Sequence, residues 1–166
     1  MTQYLLTYFA SEKLASAFLC LFGAASLGFA THLYTSQTLF RGMMYPLLLF
    51  GLIQLTVGSA VYIRTDKQVL QLREHMHNAP VDFRSAELAR MQRVSEFLAL
   101  YNAMEILVLA AGIGLTLLFR HQMLWFSIGV GMIIEAALLL VFDLFAEKRA
   151  DIYIMRLQEF IPLLAQ

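Results

Sequence analysis

The sequence predicts an all-α integral membrane protein, with four transmembrane helices in a bundle and helices two to four extended into the cytoplasm. Three observations carry that reading. Of the 166 residues, 60% are apolar and 14% are charged, against roughly 45 to 50% and about 25% in soluble domains. Long stretches hold no formal charge at all: 27 residues between Lys13 and Arg41, and 22 between Arg41 and Arg64. The polar segments beyond these runs keep a helical period instead of dissolving into loop composition.

The elements follow in chain order. A first span is expected near 14–35. Lys13 before it and the small residues Gly28 and Ala30 within it resemble a secretory leader, but it is read here as a retained span. A second is expected near 43–63. The stretches Phe97 to Phe119 and Gln122 to Phe142 run 23 and 21 residues with one glutamate each, Glu105 and Glu135, and give spans near 97–119 and 122–142. Each run is long enough for a hydrocarbon core of about 30 Å at about 1.5 Å per residue. Residues 1–166 thus form a single four-span domain, with a helical connection over 64–96 and a helical tail over 143–166.

Lys13, the six basic residues between Arg64 and Arg93, and Lys148, Arg149 and Arg156 all fall on one side, with only Arg41 and Arg120 on the other. The ten to two split puts both termini and the long connection in the cytoplasm of a cell that carries the protein in its cytoplasmic membrane. In the connection, Val69, Leu72 and Met76 continue helix two until Asn78-Ala79-Pro80 stops it, since a residue before proline is pushed out of the helical region. Asp82 is expected to cap the next helix, with Val81 and Ala86 as a hydrophobic staple, and Ala89, Met91 and Val94 lead into span three. Ala150, Tyr153, Ile154, Leu157 and Ile161 repeat at helical spacing after span four, with Pro162 near the end. The aromatic N-terminus, Tyr4 to Phe9, is expected to lie in the membrane interface.

A faint repeat joins the two hairpins. Ser11-Glu12 and Leu14-Ala15 match Ser95-Glu96 and Leu98-Ala99, and Gly28 falls on Gly112; at a second offset Gln54 falls on Glu135 and Asp66-Lys67 on Glu147-Lys148.

The chemistry concentrates in the spans. Counted from the cytoplasmic side, Glu105 and Glu135 fall at the same depth. Carboxylates there are costly enough that both should face the bundle. Gln54 lies nearby on span two, and Tyr101 and Asn102 are placed on the Glu105 face of span three, making a polar seam that Ser127, Gly131 and Asp143 continue on span four. The ligand- or ion-binding set read from the sequence is therefore Glu105, Glu135, Gln54, Asn102 and Tyr101. Paired carboxylates in an apolar setting share a proton or hold a small cation, so binding or passage of a proton, small cation or small solute is the leading function. The alternative is a scaffold or immunity-type subunit of a membrane complex, in which the carboxylates are polar glue between helices.

Other classes fit worse. Neither glutamate is followed by histidine at the spacing of di-metal bundles, so no metal is expected. His32 and His121 read as anchors near the outer ends of their spans, and His75 and His77 do not share a helix face. Twelve basic residues balance twelve acidic ones, which leaves no field for nucleic acid. The single cysteine, Cys20, offers no internal disulfide. Without a nucleophile beside a base or a phosphate loop, neither an enzyme nor a cofactor is expected. The partners are the lipid bilayer and, through the small residues Ser16, Cys20, Ala24 and Gly28 and the pair Ala110 and Gly114, a second copy or another membrane protein. Ion pairs are expected to link Arg64, Asp66, Lys67 and residues 147–151 to Arg90, Arg93 or Glu96.

Overall fold

A computed structural model describes residues 2–36 and 38–159. The chain folds into four long helices, α1 (Thr2–Thr35), α2 (Met44–Asn78), α3 (Pro80–Leu118) and α4 (Met123–Glu159), with one 3-10 turn at Arg41–Met43 before α2. They hold 34, 35, 39 and 37 residues. At about 1.5 Å per residue each exceeds the hydrocarbon core of a bilayer by well over 10 Å. All four are apolar enough to cross a membrane.

α1 packs along α2 and α3 along α4, and α4 touches α1 and α2 as well. α2 and α4 each touch all three other helices, and Gln54 and Glu135, one on each, are both fully enclosed. Two glycine pairs set the hairpin spacings. A Cβ on Gly23 would stand 2.8 Å from the Gly51 carbonyl oxygen, and one on Gly129 2.7 Å from that of Gly112. Backbones this close give van der Waals contact where apolar surroundings offer no hydrophobic drive between helices. The expected small-residue stripes are used only in part. Ser16 and Cys20 meet Gly58 of α2, whereas Gly28 and Gly114 face open space, so the Gly28–Gly112 correspondence has no common packing role.

Beyond the apolar runs the helices continue as stalks around a second core. Leu5, Phe9, Phe83, Met91, Ala150, Tyr153 and Leu157 are buried together there, with Val69, Leu72 and Met76 packed against them. The periodic positions of the connection and tail thus do converge. Each fully enclosed Phe, Leu or Met contributes roughly 1.5–3 kcal/mol in water. The N-terminus is a correction: residues 4–9 belong to α1, and Leu5 and Phe9 are inside this core, not spread on an interface. An interfacial helix and a stalk share the same amphipathic pattern and differ only in what covers the apolar face.

The break between α2 and α3 is a single residue. Ala79, with φ −146° and ψ 75°, adopts the extended conformation that Pro80 imposes, and its N–H still reaches the His75 carbonyl at 2.9 Å. Pro80 opens α3, where its missing N–H costs nothing, so Ala79 and not Asp82 is the capping residue. The proposed staple also fails: Val81 is exposed, and Phe83 is buried in its stead. Arg84 closes the far end by donating to the carbonyls of Leu157 and Gln158 at 2.9 and 3.1 Å, which serves the unpaired C-terminal carbonyls of α4. Ile161 and Pro162 lie outside the described residues.

Candidate functional site

Glu135 sits on the face of α4 turned toward α1 and α2 and is fully enclosed. Ser26 of α1 donates its hydroxyl to Oε1 at 2.6 Å, and Gln54 of α2 donates Nε2 to Oε2 at 2.6 Å. One carboxyl thereby ties three helices. The second amide atom of Gln54, Oε1, is buried without a partner. That leaves the site a second arrangement. If the amide rotates by half a turn, Oε1 accepts from a protonated Glu135, where Nε2 now donates to the carboxylate. The clamp is chemically competent in both protonation states.

Glu105 meets a different partner. Its carboxyl faces that of Asp143 across the α3–α4 interface, close enough for the two groups to act on each other. Glu105 Oε2 is buried and has no hydrogen-bond partner among the described residues. Two carboxyl groups in contact need a proton between them, or a cation, because two bare anions only repel. One turn further along α4, Glu147 accepts from Asn102 Nδ2 at 2.8 Å. The Oδ1 of Asn102 is buried and unpartnered. From Glu135 through Asp143 to Glu147, α4 carries a line of carboxyls toward the stalks, each engaged by another helix.

The sequence-derived set is thus divided. Gln54 and Glu135 come together as expected, and Asn102 lies next in line to Glu105. The two glutamates do not share partners, which corrects the expectation that they face one another. The reason is geometric: Cα–Cβ bonds tilt toward the helix N-terminus, so on antiparallel helices residues at equal depth send their side chains apart. Glu105 swings toward the stalks and finds Asp143; Glu135 swings toward the loops. Tyr101 points outward, 51% exposed, and stacks on Phe97 at 6.5 Å. Ser26, Asp143 and Glu147 complete the sites and were not in the expected set. Asp143 and Glu147 had a signal in their four-residue spacing, whereas Ser26 had none in an otherwise apolar run.

The chain matches no known protein family, no characterised protein and no solved structure.

A further polar cluster lies in the stalks. Glu87, almost fully buried, takes a two-pronged ion pair from Arg90 at 2.8 and 2.7 Å and the Tyr153 hydroxyl at 3.3 Å. Tyr8 stacks on Tyr153 with ring centres 4.6 Å apart. Burial pushes the Tyr8 hydroxyl up to about 12, and burial together with Glu87 raises that of Tyr153. Both rings stay neutral, as packing elements. The expected ion pairs form with other partners: Asp66 holds Lys13 of α1 at 2.7 Å, and Arg64 approaches Glu12 at 3.9 Å. Two grooves open among the stalks, one between α1 and α4 and one between α1 and α2, and neither is lined by Glu105 or Glu135. Among the described residues no three His, Cys, Asp or Glu side chains gather to hold a metal.

Proposed function

We propose that this chain is a multi-pass protein of the cytoplasmic membrane that binds and exchanges a proton, or a small cation in its place, at the Glu105–Asp143 pair. Its four helices cross as a bundle, and the ten to two split of basic residues favours stalks in the cytoplasm. The observation that carries the reading is the contact of two carboxyls. A single charged carboxylate at the centre of a spanning helix costs about 2.5–3.5 kcal/mol on insertion scales. Two in contact add repulsion, so a shared proton is the state that such a pair selects. Glu147 and Asn102, one turn nearer the stalks, offer the next acceptor and donor on the way to water at exposed Lys148. No residue in this arrangement acts as a nucleophile, and the reading is non-enzymatic.

The test is proton movement in liposomes. With a pH dye inside and an acid step outside, the wild type is expected to take up or pass protons faster than empty vesicles, and Glu105→Gln or Asp143→Asn to lose that excess. Equal rates in wild type and both variants would overturn the reading. A second reading, a partner or scaffold subunit with structural carboxyls, is favoured by the enclosed and doubly bonded Glu135. Under it the same experiment gives no excess in any variant.

A further inference from the structure

The groove between the stalks of α1 and α4 has a different chemistry from the carboxyl line. It encloses about 160 Å³. Its walls include Tyr4, Tyr8 and Ser11 from α1 and Arg149, Tyr153 and Arg156 from α4, at three- and four-residue steps that keep each set on one helix face. Arg149 is half-buried, and among the described residues it makes no ion pair or side-chain hydrogen bond. A guanidinium carries five donors in a planar fork, and leaving all of them unserved at a half-buried position is unusual. Arg156 lies over the Tyr4 ring at 4.9 Å and pairs with Glu159 at 2.8 Å, both partners substantially exposed. Such a surface pair is readily exchanged for a better acceptor.

The acidic groups near the groove do not fill that role. Glu87 is held by Arg90 and Tyr153. Glu12 leans on Arg64 at 3.9 Å and lies within reach of the Arg149 charge, but among the described residues it forms no hydrogen bond or ion pair with Arg149. Two arginines flanked by tyrosine rings form a pocket for a planar or tetrahedral oxyanion, and paired Arg forks favour phosphate.

We infer that this groove binds a phosphate-bearing anion, with Arg149 and Arg156 as its charged donors and Tyr4 and Tyr8 as its walls. Two sources share this chemistry, an anionic phospholipid headgroup and a free phosphate. Ser11 and Arg149 lie within two residues of Lys13 and Glu147, where the apolar runs end, and exposed Phe145 is one turn from Arg149 on the side of the apolar run. A headgroup in the groove would have its chains beside Phe145. The headgroup source rests on the proposed membrane crossing; the phosphate source does not.

Purified protein in neutral detergent tests it by thermal unfolding. The additions are inorganic phosphate, a short-chain phosphatidylglycerol and the phosphatidylcholine of the same chain length. A ligand that binds only the folded state raises the midpoint with its concentration. Phosphatidylglycerol is expected to raise it and phosphatidylcholine not; a matching rise with inorganic phosphate identifies a free phosphate as sufficient, and no rise identifies the headgroup. Arg149→Gln and Arg156→Gln should each lose most of the response while keeping the helicity and unliganded midpoint of the wild type. Lys67→Gln, an exposed cation at the same level of α2 and outside the groove, should keep it. No response in the wild type, an undiminished response in both arginine variants, or an equal loss in Lys67→Gln would overturn the inference. None of these readouts depends on proton movement, so they fail or succeed separately from the proposed function.

Discussion

Glu135 and Asp143 lie eight residues apart on one helix, about 12 Å along its axis, and their surroundings assign them opposite tasks. Glu135 has a donor for each oxygen, drawn from two other helices, and is sealed. Asp143 has another carboxyl for a neighbour and is only half-buried. The first arrangement satisfies charge with fixed dipoles and joins helices. The second is incomplete without a proton or cation, which is why exchange is proposed there. The two carboxyls differ in the chemistry of the partner, not in residue class or helix, and the proposed division into structural and functional rests on that difference.

The largest effect expected from a single change separates the two sites physically. Gly129→Val would drive a branched side chain into the Gly112 backbone, a case of overpacking that costs about 3 kcal/mol at the upper end of its usual range. It should part α3 from α4 and abolish proton exchange. Glu135 keeps its bonds because neither Ser26 nor Gln54 belongs to α3. Unfolding together with flux measures both halves of the claim.

Next comes the clamp itself. Glu135→Leu strands the Ser26 hydroxyl and the Gln54 amide, a loss of roughly 1–2 kcal/mol. Glu135→Gln should cost far less, since a half-turn of Gln54 lets its free Oε1 accept from the new amide. Equal losses in the two variants, read by unfolding in detergent, would show that Gln54 does not rotate.

Glu105→Gln has the opposite sign. The new amide donates to Asp143 where a carboxyl stood, so stability should stay level or rise by up to about 1 kcal/mol, while exchange falls. A variant that lost stability as Glu135→Leu does would contradict the contrast between the sites.

The smallest effect is in the stalk. Burial holds the Glu12 carboxyl above its ordinary value in the folded chain. The folded state then keeps a proton that the unfolded chain has released. Stability from this group is therefore fully present in acid and is lost as pH rises from the ordinary carboxyl range through the folded value. Glu12→Gln removes that loss. Its advantage over wild type should grow from acid to neutral pH, because Arg64 at 3.9 Å and the charges of Arg90 and Arg149 offset the burial only in part. A constant difference across that range would contradict it.

Much of this architecture was legible before any coordinates. Apolar runs with no charge or a single glutamate locate all four helices, and the periodic Val69, Leu72, Met91, Tyr153 and Leu157 mark a stalk core. Ala79-Pro80 located the break because proline acts on its immediate neighbour. The N-terminal stalk was hidden, since Leu5 and Phe9 show an apolar face without saying what covers it. The pairing of carboxyls was hidden for another reason. Depth along a helix can be counted from sequence, but contact across antiparallel helices also depends on side-chain direction and on register, which Gly112 and Gly129 set by close approach. Gln54 stands out by its place in an apolar run, and Ser26 does not, because a lone serine there commonly bonds its own helix.

The proposed shared proton is open to direct observation. Infrared difference spectra of the protein in bilayers, recorded across a pH step, report the carbonyl stretch of a protonated carboxylic acid. The wild type should show such a band responding to pH. Glu105→Gln and Asp143→Asn should each remove it, and Glu135→Gln should leave it in place. A pH-responsive band that survives in both Glu105→Gln and Asp143→Asn, or disappears only in Glu135→Gln, would contradict the assignment of proton exchange to the Glu105–Asp143 pair.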